Sequence, residues 1–140
     1  MSSTSLQVRV RYAETDQMGV VYYANYLVWF ELGRVEVLRA LGLSYHTLEV
    51  EHACVLPVVE ANCRYRAPAR YDDLILIEAR PALLRGSVLK FAYRILRRNA
   101  SDPELVLLAE GETVHVVCDR DFNRKPLPPQ YVDALKALMA

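Results

Sequence analysis

The feature that most constrains this fold is one long, mostly apolar run between segments that alternate like β-strands. Residues 26–41 predict a single helix, with Asn25 at its N-cap and Gly42 as its stop signal. Apolar side chains surround the axis of this helix almost completely, which is typical of a buried helix rather than a surface one. The rest of the chain must therefore supply a layer that covers the helix.

Alternating sequence supplies that layer. Residues 6–12 predict a first strand with one buried face, and a weak signal over residues 44–51 predicts a short second helix. Four more strands are predicted over residues 55–66, 74–79, 88–96 and 105–118, with a hairpin turn at residues 99–103 and a last helix over residues 128–139. One central helix cannot provide the crossovers of a parallel sheet, so we expect a single α+β domain spanning residues 1–140, with an antiparallel five-stranded sheet on one long helix.

Composition and missing motifs exclude several classes of function. The 17 basic and 17 acidic residues give no net charge, so no nucleic acid partner is expected. No apolar run approaches the ~20 residues of a membrane span, and the N-terminus has no secretory signal. An odd number of widely spaced cysteines fits a reduced, cytoplasmic protein. No phosphate-binding loop, nucleophile elbow or metal-ligand spacing is present, so we expect neither metal nor cofactor. His115 is expected to be a hydrogen-bonded histidine of the last strand.

Two charged pairs on the long helix have different expected environments. Glu31 and Arg34 fall within the densest apolar arc, so they are predicted to form a buried pair at a subunit contact. A role for Glu31 in positioning a catalytic carboxylate or a water stays open. Glu36 and Arg39 lie on the opposite side and predict an exposed i,i+3 pair.

The segment over residues 12–26 has the composition of a catalytic site. It sets the carboxylate of Asp16 and the flexible Gly19 before aromatic residues that lead into a helix N-terminus. Unpaired N–H groups at such a terminus stabilise an oxygen that becomes negative during a reaction, as in an oxyanion hole. From the residues alone, a simple turn cap is the favoured interpretation of Asp16, since aspartate is a common turn residue.

This segment resembles that of the hotdog-fold acyl-CoA thioesterases, in the branch of 4-hydroxybenzoyl-CoA thioesterase. The likeness rests on Thr15-Asp16, on residues 18–26 (Met-Gly-Val-Val-Tyr-Tyr-Ala-Asn-Tyr) and on Trp29-Phe30-Glu31, and continues more weakly through residues 64–73 and 112–117. The resemblance implies a long helix wrapped by an antiparallel sheet. This agrees with the element order reached from the residues.

The resemblance also implies roles for individual residues. Asp16 matches the catalytic carboxylate, acting as nucleophile or general base, and the backbone N–H of Tyr23 matches the donor to the thioester oxygen. Many relatives have histidine at the position of Tyr23, so no side-chain role is carried over. Further candidates for substrate contact are Gly19, Val20, Tyr22, Asn25, Tyr26 and Glu31, and the candidates for the coenzyme A phosphates are Arg64, Arg66 and Arg85. For Tyr22 and Tyr26, packing in the core or at a subunit contact is the favoured alternative, because aromatic residues at helical spacing usually pack.

The resemblance thus predicts hydrolysis of an acyl-CoA to a carboxylic acid and free coenzyme A. It also implies a homo-oligomer, a dimer or a tetramer, with the site at a subunit interface. Two alternatives remain at this point. The same fold serves hydratases and dehydratases of acyl thioesters, and a non-catalytic acyl-CoA binding protein would not need Asp16.

Overall fold

The computed structural model describes residues 4–99 and 104–139, which form an antiparallel sheet and three helices. The elements in chain order are β1 (Thr4–Arg9), α1 (Asn25–Ala40), α2 (Tyr45–Glu51), β2 (Val58–Tyr65), β3 (Leu74–Arg85), β4 (Val88–Arg98), β5 (Leu105–Val116) and α3 (Pro129–Met139). The sheet order is β1-β3-β4-β5-β2, and each neighbouring pair is antiparallel. The predicted α+β class and five-stranded antiparallel sheet are confirmed.

The core lies between α1 and one face of the sheet. Alternate residues of the strands point at the helix, as the period of two requires, and α1 packs against β3, β1 and β4. Phe30 of α1 stacks on Tyr93 of β4 with ring centroids 4.3 Å apart. Gly33 allows close approach, since an added Cβ would lie 3.0 Å from the Cβ of Ala79. The buried side chains of this layer include Trp29, Val37, Leu38, Ile75, Ile77, Leu89, Phe91 and Ile95.

Only one side of α1 is buried within the single chain. Leu27, Val28 and Leu32 are between 41% and 51% exposed, although their apolar character predicted burial all round. The prediction of an N-cap at Asn25 is wrong, because Ala24 precedes the first helical residue. The Asn25 side chain instead donates from Nδ2 to the carbonyl oxygen of Glu14 at 2.9 Å. The exposed apolar side of α1 is a surface without cover in one copy of the chain.

The predicted buried pair of Glu31 and Arg34 is also wrong. Glu31 lies on the exposed side of α1, whereas Arg34 is half-buried and its Nη1 donates to the hydroxyl of Tyr93 at 3.5 Å. Side chains three residues apart in a helix differ in direction by only about 60°, and here the boundary between the sheet-facing side and the outer side falls within that angle. The exposed pair is confirmed, with Arg39 Nη1 and Glu36 Oε2 2.8 Å apart.

Several strand boundaries differ from their predictions, among them those of β1 and β3. β1 ends at Arg9, and Tyr12 lies in a 3-10 turn with 77% of its surface exposed, although it continues the alternation of the strand. β3 is much longer than the predicted residues 74–79. Among the described residues β1 pairs with β3 as far as Ala79, and Pro81 falls beside a register shift in the β3–β4 pairing. Proline is tolerated at such an irregularity, because the regular ladder of hydrogen bonds is already interrupted there. Of the predicted turn at residues 99–103, residues 100–103 lie outside the described residues.

A buried chain of hydrogen bonds crosses the core at His115. Its Nδ1 lies 3.0 Å from the carbonyl oxygen of Leu56, so this nitrogen must donate and Nε2 must accept. Nε2 therefore receives the hydroxyl proton of Thr113 at 2.8 Å, and Thr113 in turn accepts from Tyr93 at 2.6 Å. Arg34 donates to Tyr93 at the start of the chain. His115 is thus a fully hydrogen-bonded, buried histidine of β5, as predicted.

Strand β2 forms one edge of the sheet. It pairs with β5 along one side, and no described strand pairs with its other side. Seven of its eight residues are exposed, including the apolar Val58 and Val59. An exposed edge strand with apolar side chains invites pairing with another chain. Among the described residues, no helix is long and apolar enough to cross a membrane.

Candidate active site

The segment between β1 and α1 is folded into a small hairpin. Thr15 and Val21 form an isolated antiparallel bridge, and the N–H of Asp16 donates to the carbonyl oxygen of Val20 at 2.9 Å. Gly19 turns the chain with φ +80°, a conformation that L side chains rarely adopt. The hairpin returns the chain to the start of α1, beside the loop that carries Asp16.

Asp16 lies half-buried at the closed end of this hairpin. Its Oδ1 accepts the N–H of Met18 at 2.9 Å, so the carboxylate does cap the turn, as the simpler interpretation expected. Within the described residues, Oδ2 receives no hydrogen bond. One carboxylate oxygen is therefore fixed in place while the other is available to a substrate or a water.

Tyr22 and Tyr23 form an exposed aromatic pair next to Asp16. Their ring centroids are 4.8 Å apart, and 46% of Tyr22 and 61% of Tyr23 is exposed. The pKa of Tyr22 is raised above its ordinary value, first by Tyr23 and also by the negative charge of Asp16. The carboxylate and both rings thus share one patch of surface.

Two backbone donors are unpaired where this segment enters α1. The N–H of Tyr22 donates to Glu14 and that of Asn25 donates to Tyr22, each at 2.9 Å. Between them, the N–H groups of Tyr23 and Ala24 have no acceptor in the part of the chain that the structure describes. They lie at the positive end of the dipole of a 16-residue helix. This is the arrangement that stabilises a developing negative charge.

Glu14 anchors the hairpin to the helix, a role that the sequence did not reveal. Its side chain is only 12% exposed. Oε1 accepts the backbone N–H of Arg11 at 2.8 Å, and Oε2 accepts the indole Nε1 of Trp29 at 3.3 Å. Its carbonyl oxygen accepts hydrogen bonds from the backbone N–H of Tyr22 and from the side-chain amide of Asn25. An acidic residue in a polar, aperiodic stretch carries no signal of such contacts.

The structure places the other predicted acyl-group residues in different environments. Gly19 is exposed with open space around it, and Val20 is half-buried in the hairpin. Tyr26 is only 2% exposed, and its hydroxyl accepts the N–H of Ala69 at 3.2 Å. It therefore belongs to the core, the environment that the sequence analysis favoured for it. The amide of Asn25 is likewise engaged with Glu14, while Glu31 lies on the outer side of α1.

The predicted arginines fall into two groups. Arg64 and Arg66 line a concavity of about 670 Å³ on the sheet face away from α1, together with Arg80 and Arg94, which the sequence analysis did not single out. Arg66 donates to Glu110 Oε2 at 2.9 Å. Arg85 lies at the β3–β4 hairpin, five residues of extended strand beyond Arg80, a distance of about 16 Å. The structure therefore does not bring it together with the others.

Comparisons with known proteins identify the family. The Thioesterase-like superfamily matches residues 10–136. The acyl-CoA thioester hydrolase YbgC of Escherichia coli O6:H1 is 37% identical over 131 residues, covering 92% of each chain. The crystal structure of TT1821 from Thermus thermophilus is 38% identical, covers 98% of each chain and has a TM-score of 0.85. The 4-hydroxybenzoyl-CoA thioesterase of Pseudomonas sp. strain CBS-3 is similar in fold, with 23% identity, a TM-score of 0.85 and coverage of 94% of this chain and 98% of its own.

The chain belongs to the Thioesterase-like superfamily. The predicted class, a hotdog-fold thioesterase in the 4-hydroxybenzoyl-CoA thioesterase branch, is confirmed by this match and by the likeness in fold. The chain is accordingly an enzyme of thioester hydrolysis.

Proposed function

We propose that this protein hydrolyses an acyl-CoA, with Asp16 as the reacting carboxylate and the N–H of Tyr23 as the donor to the thioester oxygen. The observation that carries this proposal is the hairpin itself. It brings a carboxylate to the N-terminus of α1, and within the described residues one oxygen of this carboxylate and two backbone N–H groups of that terminus have no hydrogen-bond partner. The similarity to the acyl-CoA thioester hydrolase YbgC supports the coenzyme A thioester as substrate.

Two routes fit this arrangement. As a nucleophile, Asp16 would attack the thioester carbon, expel the coenzyme A thiolate and form a mixed anhydride that water then hydrolyses. As a general base, it would take a proton from a water that attacks the same carbon. In both routes the carbonyl oxygen gains negative charge, which the N–H of Tyr23 and the dipole of α1 stabilise. Neither route needs a metal or another cofactor.

The proposal includes a cytoplasmic, single-domain subunit that works as a homo-oligomer. The edge of β2 that no described strand pairs with and the exposed apolar side of α1 support a dimer, and a tetramer would pair two such dimers. Arg64 and Arg66 are the proposed ligands of the coenzyme A phosphates, since arginine binds phosphate through two parallel hydrogen bonds. Light scattering that finds an active monomer at micromolar concentration would contradict the oligomer.

A thiol-release assay over short, long, branched and aromatic acyl-CoAs tests the function. We expect free coenzyme A from at least one group and on the order of a thousandfold lower kcat for Asp16→Asn. Asp133→Asn, an exposed aspartate on α3, is the matched control and should retain full activity. Reversible double-bond absorbance without thiol release would indicate a hydratase, and binding without turnover would indicate a carrier.

A further inference from the structure

Tyr65 joins the edge strand to the entry of α1. It is the last residue of β2, and its hydroxyl donates to the carbonyl oxygen of Tyr23 at 2.9 Å. Its ring also packs edge-on against that of Tyr26, with centroids 5.0 Å apart. A tyrosine hydroxyl keeps its proton at neutral pH, so it remains a donor under assay conditions. Neither residue type nor spacing singled out this tyrosine in the sequence.

The bond from Tyr65 fixes the direction of the next backbone N–H. A trans peptide unit is planar, so the carbonyl of Tyr23 and the N–H of Ala24 point in opposite directions. The N–H of Tyr26 also reaches this carbonyl, but at the long distance of 3.3 Å. The hydroxyl of Tyr65 is therefore the shorter of the two bonds that orient the peptide unit. It aims the N–H of Ala24, which has no acceptor in the described part of the chain.

We propose that Tyr65 is a positioning residue that makes the Ala24 N–H a second donor to the thioester oxygen, beside the N–H of Tyr23. This inference rests on the proposed function. Two donors from successive peptide units suit an oxygen that becomes tetrahedral and charged, and their directions must be fixed before the reaction begins. Substrate does not touch Tyr65 in this proposal, because Tyr65 acts through the Tyr23–Ala24 peptide.

A purely structural role for this hydroxyl predicts a different outcome. The first turn of α1 is also held by the burial of Trp29 and Phe30 and by the bonds to Glu14. Tyr65 is 48% exposed, so phenylalanine at this position leaves no cavity in the core. Loss of the hydroxyl should therefore change the melting temperature little while it changes the geometry of the donors.

The experiment compares Tyr65→Phe with a matched control, Tyr131→Phe. The hydroxyl of Tyr131 also donates to a backbone carbonyl, that of Ser44 at 3.2 Å, but it lies on α3. With the best acyl-CoA found by screening, we expect Tyr65→Phe to lower kcat about tenfold and to leave KM within about twofold. The control should keep the kcat of the unmodified protein.

A second measurement separates donor geometry from general damage. In an Asp16→Asn background that retains uncleaved substrate, the stretching frequency of a ¹³C-labelled thioester carbonyl reports the hydrogen bonds that its oxygen receives. Adding Tyr65→Phe should raise this frequency toward its value in solution, and adding Tyr131→Phe should not. A tenfold loss of kcat with an unchanged frequency would overturn the positioning role.

The kinetic arm distinguishes failure of this inference from failure of the proposed function. If the unmodified protein releases no thiol, or if Asp16→Asn remains active, the proposed function itself is wrong. If the unmodified protein is active, Asp16→Asn is inactive and Tyr65→Phe keeps the kcat of Tyr131→Phe, only the role of Tyr65 is wrong.

Discussion

Gly111→Ala is expected to be one of the most destabilising single-methyl additions in this chain. Gly111 lies in β5, opposite Cys63 of β2. An added Cβ would overlap the backbone carbonyl group of Asn62 and would lie 3.0 Å from Cε2 of Phe30. The obstacle is the backbone of a paired strand rather than the end of a flexible side chain, so β2 must move away from β5.

The cost follows from these contacts. Overpacking a close-packed site typically costs about 1–3 kcal/mol. Displacing β2 also weakens flanking bonds of the β2–β5 ladder, each of which contributes about 1 kcal/mol. We therefore expect a loss of about 3–5 kcal/mol from a total that is ~5–15 kcal/mol for a typical domain.

Urea unfolding at one fixed protein concentration measures this loss, and the fluorescence of the single, buried Trp29 can follow it. Gly33→Ala is the comparison, because its new Cβ meets only side-chain atoms, at 3.0 and 3.1 Å. Alanine also favours the helix by about 1 kcal/mol over glycine, so a net loss of about 1 kcal/mol or less is expected. If Gly111→Ala loses less than about 1 kcal/mol at an unchanged m value, the reasoning from strand contact is refuted.

Three further outcomes are expected. Tyr23→Phe should change kcat by less than about threefold, since the proposed donor is its backbone N–H; a variant as inactive as Asp16→Asn would assign chemistry to the hydroxyl. Glu14→Gln should lower the melting temperature and kcat together, because Oε1 or Oε2 becomes an amide nitrogen facing the N–H of Arg11 or of Trp29. The pKa of His115 is held below its ordinary value, chiefly by burial, so the unfolded chain binds more protons and stability should fall as the pH drops below about 6.5. Urea midpoints between pH 5 and 7.5 check this, and in His115→Asn the dependence should be weaker.

Periodicity predicted the layers of the fold because strand and helix spacing decide which side chains share a face. It could not set the limits of β3, since tolerance of Pro81 depends on the register shift in the β3–β4 pairing. Nor could it place Glu31, because residues of α1 that a single chain leaves exposed are as apolar as those it buries.

The residue types of the segment before α1 indicated a site, but they did not predict the hydrogen bonds that hold its hairpin together. Asp16 and Gly19 are residues that turns favour, and their presence before a helix indicated a site. Glu14 lies in a segment without periodic hydrophobicity, and Tyr65 is far in sequence from Tyr23, to which its hydroxyl donates. Such contacts arise only when the sheet brings the end of β2 beside the start of α1.

The direction of the buried hydrogen bonds that lead to His115 restricts which substitutions this core can accept during evolution. Each hydroxyl donates its single hydrogen in one direction: Tyr93 donates to Thr113, and Thr113 donates to Nε2 of His115. Replacing Thr113 by valine removes both a proton and a lone pair, so its two neighbours lose their partners at once. Serine preserves both, and we expect it to be the readily accepted replacement at this position. Other substitutions at these three positions should be accepted only in combination, so they should vary together among relatives of this chain.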